Sequence, residues 1–167
     1  MTGRPSTGYS RGVRGLRIHV IAVGRARSGL ERDLYAHYMG RLAWPARLKE
    51  LEARGKAAPA DLKVLEGKLI LAALPKDAKV VALDAQGLEL SSEAFAKKLG
   101  GWHDAGSGEI AFVIGGAEGL DEAVIQRADL RFALGRVTWP HLLVRGLLAE
   151  QLYRAQQILA GHPYHRG

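Results

Sequence analysis

The chain has 167 residues, which suits one domain with room for a substantial core. Hydrophobic residues make up 47% and charged residues 25%, an ordinary soluble balance, and the longest apolar runs, such as 69–74, are far too short to cross a membrane. With no cysteine, disulfides, thiolate metal sites and cysteine nucleophiles are excluded and a reducing, cytoplasmic setting fits, while a formal charge of +7 points to a polyanionic partner.

Four of those charges come from Arg4, Arg11, Arg14 and Arg17, with no acid among them. Residues 1–16 are rich in Gly, Ser and Arg without apolar periodicity, so they read as a disordered basic extension. They lack the apolar stretch of a secretory signal. A basic arm touching RNA, a weak look-alike of a targeting segment and a start counted too early remain open for them. Residues 17–167 read as the single folded domain.

Residues 17–23 (RIHVIAV) alternate and then run apolar, as a buried strand does. A basic loop over 24–29 leads to a helix over 30–42, which Pro45 ends. Residues 47–52 alternate weakly and predict an edge strand. After a loop over 54–59 comes a helix over 60–74, then a short strand at 79–83 (KVVAL) ending in Asp84. A turn at Gln86-Gly87 precedes Ser91 or Ser92, either a good N-cap for a helix ending near Leu99. Residues 100–108 read as a polar loop, and 109–114 (EIAFVI) as the clearest buried strand. A glycine-rich turn, a short helix through Arg127 and a strand at 131–134 follow.

The last thirty residues, from Thr138, read as one long helix with a tail of His, Tyr and Arg. Pro140 fits the first helical turn, where its missing N–H costs nothing. Gly161 fits the stop, and Pro163 prevents a restart. Val144, Leu147, Leu148, Leu152, Ala155, Ile158 and Leu159 recur at helical spacing and mark a broad buried face. Termini usually fray unless something holds them, so His162, Tyr164, His165 and Arg166 suggest a site.

Strands alternating with helices at these spacings predict an α/β fold: a mostly parallel sheet with helices on both faces. Ligands in such sheets bind beyond the carboxyl ends of the strands. Three loops lie there, at 84–87, 115–119 and 135–140, and form the candidate pocket. GGAEG at 115–119 is either a close approach of backbone to a ligand or a tight turn that needs glycine. It matches neither the dinucleotide fingerprint nor the P-loop. Asp84, in LDAQG, caps its turn or touches a ligand. The backbone of the 135–140 loop is suited to reading the edge of a flat ring such as adenine, with Trp139 as core or interface. On the long helix, His141 and Arg145 share a face, and Glu150 and Arg154 are placed to pair. The histidines lack metal-ligand spacing, and no Ser-His-Asp arrangement with a nucleophile elbow is present.

Taken together, IHVIAVGR, LDAQG, FVIGGAEGL and TWPHLLVRGLLAEQLYRAQQILAGHPYHR resemble the RlmH-type methyltransferases of large-subunit (23S) ribosomal RNA, from about residue 17 to the end. That family belongs to the SPOUT class, so the resemblance implies a C-terminal trefoil knot that no periodicity reveals. It implies methyl transfer from S-adenosylmethionine to N3 of a pseudouridine within the assembled ribosome, without a metal. It implies a homodimer with the site built across the interface. By the family pattern the cofactor touches Leu83, Gly115, Leu134, Gly135, Arg136, Val137, Thr138 and Trp139. His141, Tyr164 and His165 are then available to accept a proton or orient the base, unranked, with Tyr164 also able to stack on it. Arg145, Arg154 and Arg166 are available to hold phosphate or developing negative charge.

The chain departs from the family at Leu134-Gly135-Arg136-Val137-Thr138, where a Leu-Ser-x-Met-Thr-like stretch is usual, and at Trp139, where an aliphatic residue is usual. Backbone contacts should survive the change; a tighter pocket, altered cofactor affinity or a changed dimer contact are the expected consequences. Two other classes stay open at this point: a non-catalytic ribosome-binding or assembly protein, and an α/β nucleotide-binding enzyme for small molecules. The missing phosphate-loop patterns and basic balance count against the latter.

Overall fold

EIAFVI, the most continuously apolar strand in the sequence, forms the centre of the sheet. The computed structural model describes residues 13–165. Its strands are β1 (Arg17–Val23), β2 (Ala46–Leu51), β3 (Lys79–Glu89), β4 (Glu109–Ile114) and β5 (Leu130–Ala133). They lie in the order β2-β1-β4-β3-β5, and every pairing is parallel. The helices are α1 (Leu30–Met39), α2 (Pro59–Ala73), α3 (Ser92–Asp104), α4 (Glu122–Arg127) and α5 (His141–Leu159), followed by a 3-10 turn at Pro163–His165.

Side chains alternate across a strand, so each central strand feeds two cores. Ile18, Val20, Val81, Ile110 and Phe112 pack with Phe95 and Leu99 of α3 and Leu148 and Leu152 of α5. Ile21, Val80, Ala111 and Val113 pack on the other face with Ile70 of α2 and Val124 of α4. Helices on both faces of a parallel sheet are as expected from the alternation.

Four boundaries differ from the sequence reading. Helix α1 stops at Met39 rather than residue 42, with Gly40 closing it. Strand β3 does not end at Leu83: after a register shift between Leu83 and Leu88 it rejoins β5 and runs to Glu89. Gly87 permits this, since a Cβ there would stand 2.6 Å from the Arg131 carbonyl. Helix α3 continues through Gly100 and Gly101 to Asp104 instead of yielding to a loop at 100. Gly100 is buried against Leu159, so glycine there serves helix packing and not a turn. Pro140 stands at the N-cap of α5, one position ahead of the first turn.

Other local signals hold. Ser91 caps α3 by accepting from the Ala94 N–H at 3.0 Å. At the end of α5, Gly161 has φ of 75° and donates to Ile158, while the His162 N–H donates to Gln157, a complete Schellman stop. Of the basic N-terminal extension, residues 1–12 lie outside the described residues. Val13 packs at the edge of the core and accepts from the Trp44 indole at 3.0 Å, and Leu16 is fully buried.

Candidate active site

The carboxyl ends of β3, β4 and β5 open onto one pocket of about 220 Å³. Its walls combine Leu83, Gly115 and Gly116, Leu134 and Gly135, and the stretch Val137, Thr138, Trp139 with His141. Seven of the eight residues that the family pattern assigns to the cofactor thus line one cavity. Arg136 does not; it points outward and pairs with Glu89 at 3.4 Å.

Each wall has a local cause. Asp84 ends the first part of β3 by accepting from the Gln86 N–H at 2.9 Å and from Arg131 at 2.7 Å, so it is a structural cap in this state. The GGAEG loop folds back on itself: the Gly119 N–H donates to Gly116 at 3.0 Å, and Gly119 has φ of 80°. A Cβ on Gly115 would sit 2.7 Å from the Gly119 carbonyl carbon. The turn therefore needs glycine at 115 for its own backbone, whatever ligand lies beside it. The third wall is held by Trp139, whose indole N–H donates to the Leu134 carbonyl at 2.9 Å and ties the ends of the loop together.

The residues expected to handle the proton or the negative charge fall into three groups. His141 lines the pocket and also approaches Gly24 at the end of β1. Arg145, one turn later, turns the other way. It is 1% exposed and clamps the sheet end, donating to Glu50 at 2.7 Å, Gly24 at 2.9 Å and Val23 at 3.3 Å. Burial pushes the Glu50 carboxyl up, but the Arg145 and Ala26 donors together with the charges of Arg145 and Arg25 outweigh it and hold it below the ordinary carboxylate range. That pair reads as a structural clamp.

Arg154 and Tyr164 form the third group. Arg154 meets Glu150 at 2.6 Å across one helical turn and lies under the Tyr164 ring, 5.0 Å from its centroid. Glu150 also accepts from Gln151, which accepts from Ser92. Burial, and then the nearby Glu150 carboxylate, hold the Tyr164 hydroxyl above the usual phenol range. It stays protonated at neutral pH and is a donor or a stacking surface, not a base. Glu150, Gln151 and Arg154 border a second cavity on the far side of Leu134, Gly135 and Trp139. The loop is a partition, with the apolar pocket on one side and this polar row on the other. Arg166 and the side chain of His165 lie outside the described residues.

A larger open cleft of about 890 Å³ adjoins β1 and α1. Arg25, Arg27 and Arg32 line it with Tyr35, whose hydroxyl burial pushes up to about 12. The sequence showed this loop only as basic; that its arginines and Tyr35 line one cleft needed the fold. Glu66, buried beside Gly116, was missed altogether, since an acid within a helical run gives no signal of burial.

Residues 16–165 match a family model described as predicted SPOUT methyltransferase. The chain belongs to the SPOUT methyltransferase family. Within it, the chain groups with the RlmH-type enzymes. It is 62% identical over 151 residues to the ribosomal RNA large subunit methyltransferase H of Rhodospirillum centenum, covering 90% of this chain and 99% of that one. The protein of that name from Paramagnetospirillum magneticum is 52% identical over the same coverage. A probable methyltransferase from Bordetella pertussis Tohama I superposes with a TM-score of 0.58 at 16% identity, covering 87% of this chain and 97% of that one. That likeness concerns the fold of the SPOUT domain alone. Among the described residues no cluster of His, Asp or Glu could hold a metal ion, and no helix is long and apolar enough to cross a membrane.

Proposed function

We propose that this SPOUT enzyme transfers a methyl group from S-adenosylmethionine to N3 of a pseudouridine in 23S ribosomal RNA, acting on the assembled ribosome in the cytoplasm. The observation that carries the reading is the single pocket at the strand ends, which gathers Leu83, Gly115, Leu134, Gly135, Val137, Thr138 and Trp139 in a chain whose relatives are named as large-subunit ribosomal RNA methyltransferases.

The residues fit the cofactor. Leu83, Ile114, Phe132 and Val144 offer an apolar bed for a flat ring, and the glycines at 115, 116 and 135 leave main chain accessible beside it. When bound, S-adenosylmethionine supplies a methyl already activated on a sulfonium. The chain's own work is then to hold the pseudouridine ring in line, exclude water and accept the N3 proton. With Tyr164 protonated, that acceptor is His141 or His165. Tyr164 orients or stacks on the base, and Arg154 offers charge to the ring or a phosphate. The separate cleft that carries Arg25, Arg27 and Arg32 offers cationic side chains to the RNA backbone.

The working unit is a homodimer with a composite site. Arg154, with the Tyr164 ring packed on it, borders the cavity that the Leu134–Trp139 partition separates from the pocket of its own chain. A second copy packed on that face brings its tail to the first copy's pocket. Exposed Leu88, Val137 and Trp139 beside it give such a contact apolar surface. The chain is also taken to be knotted, as SPOUT domains are, with α5 passing from edge strand β5 back across α1 and α3.

Purified protein, labelled S-adenosylmethionine and ribosomes from a strain lacking the endogenous enzyme test the reading. Label is expected in large-subunit RNA. Saturable cofactor binding without label in RNA would instead make the chain a non-catalytic ribosome-binding protein.

A further inference from the structure

Helix α2 carries one acid on its buried stripe. Glu66 lies beside Gly67 and one turn before Ile70, and all three are buried. Only 8% of Glu66 is exposed, a rare setting for a carboxylate without a partner. Among the described residues no hydrogen bond or ion pair engages it. Burial, and then the like charge of Glu118, push its carboxyl above the ordinary range.

Two glycines fix its place. A Cβ on Gly67 would meet the Asp121 Cβ at 2.7 Å, so glycine there lets α2 close onto the start of α4. A Cβ on Gly116 would stand 3.3 Å from both Glu66 carboxylate oxygens. Because residue 116 has no side chain, the carboxylate faces that space directly, and Gly116 is part of the cofactor pocket wall.

We propose that Glu66 binds the α-ammonium group of the cofactor and so fixes its methionine end at the Gly116 corner of the pocket. This rests on the reading that the pocket holds S-adenosylmethionine. An ammonium group is a compact charge with three N–H donors, whereas the sulfonium has none to offer a carboxylate. A carboxylate stripped of most of its water is costly until such a partner arrives. Asp84, the acid on the pocket wall itself, is already engaged by Arg131 at 2.7 Å. Glu66, packed behind Gly116, is a buried carboxylate whose charge the described residues leave unmatched.

Calorimetric titration of the full chain and of Glu66→Gln tests this with three ligands. S-adenosylmethionine and S-adenosylhomocysteine both carry the ammonium group; 5′-methylthioadenosine carries neither ammonium nor sulfonium. The substitution is expected to weaken the first two by about tenfold or more and to leave the third within about twofold. The unliganded variant is expected to melt no lower than the parent, because it buries an amide in place of a charge. Equal loss for all three ligands, loss confined to S-adenosylmethionine, unchanged binding of all three, or a lower melting temperature would each overturn the assignment. Those outcomes leave the cofactor reading standing; failure of the parent protein to bind S-adenosylmethionine and methylthioadenosine would remove both.

Discussion

At the scale of single residues, the structure separates two arginines that the sequence could only name together. Arg154 lies on a polar row beside the partition loop, while Arg145 is sealed beneath the end of the sheet. Removing one member of a buried ion pair leaves the other charge uncompensated. Arg145→Met is therefore expected to lower stability by about 3 kcal/mol, the low end for such a pair because Glu50 still reaches solvent. Chemical denaturation measures it; normal stability with lost turnover would return Arg145 to the chemistry. Tyr164 behaves in the opposite way. Under the proposed function its hydroxyl serves by orientation, and a misplaced reactant costs about 10²-fold. Tyr164→Ala is expected to cut methyl transfer by that order while cofactor affinity, read by calorimetry, is unchanged. Full turnover in the variant would make the tail a structural plug.

Among the elements, those with strong periodicity were legible: the EIAFVI strand, the long final helix and its glycine stop needed no tertiary knowledge. What misled was glycine. Gly87 and Gly100 look like turns in a sequence because glycine is costly inside regular structure. Here each allows a close approach, Gly87 to the Arg131 backbone and Gly100 to Leu159. Gly146 in α5 belongs with them: a Cβ there would lie 2.5 Å from Leu34 Cδ2 and 3.3 Å from Leu34 Cβ, so α1 and α5 touch through it. Gly146→Val is expected to destabilise by about 2 kcal/mol, an overpacking cost that the small helix-propensity gain of a β-branched residue over glycine does not offset. Adding Leu34→Ala should recover part of that loss in a double-mutant cycle. Strict additivity of the two changes would mean that the helices do not meet there.

For the whole molecule, the candidate site was partly legible. The three strand-end loops were recognisable from strand order and glycine content, and they converge on one pocket because a parallel sheet points its carboxyl ends the same way. Three things required the fold: the partition made by Trp139 and Leu134, the burial of Arg145, and the placement of Glu66. None leaves a trace in periodicity: the partition rests on one side-chain hydrogen bond within a loop, and the other two depend on residues far apart in the chain. The partition also separates the pocket from the Glu150, Gln151 and Arg154 row, the arrangement on which the proposed composite site rests. The measurement that tests this account most directly is nucleoside mass spectrometry of ribosomal RNA after incubation of assembled ribosomes with the enzyme and S-adenosylmethionine. A single new methyl on N3 of a pseudouridine in the large-subunit RNA, absent when free RNA replaces the ribosome, is the predicted result. A methyl on another base, or equal modification of free RNA, would contradict it.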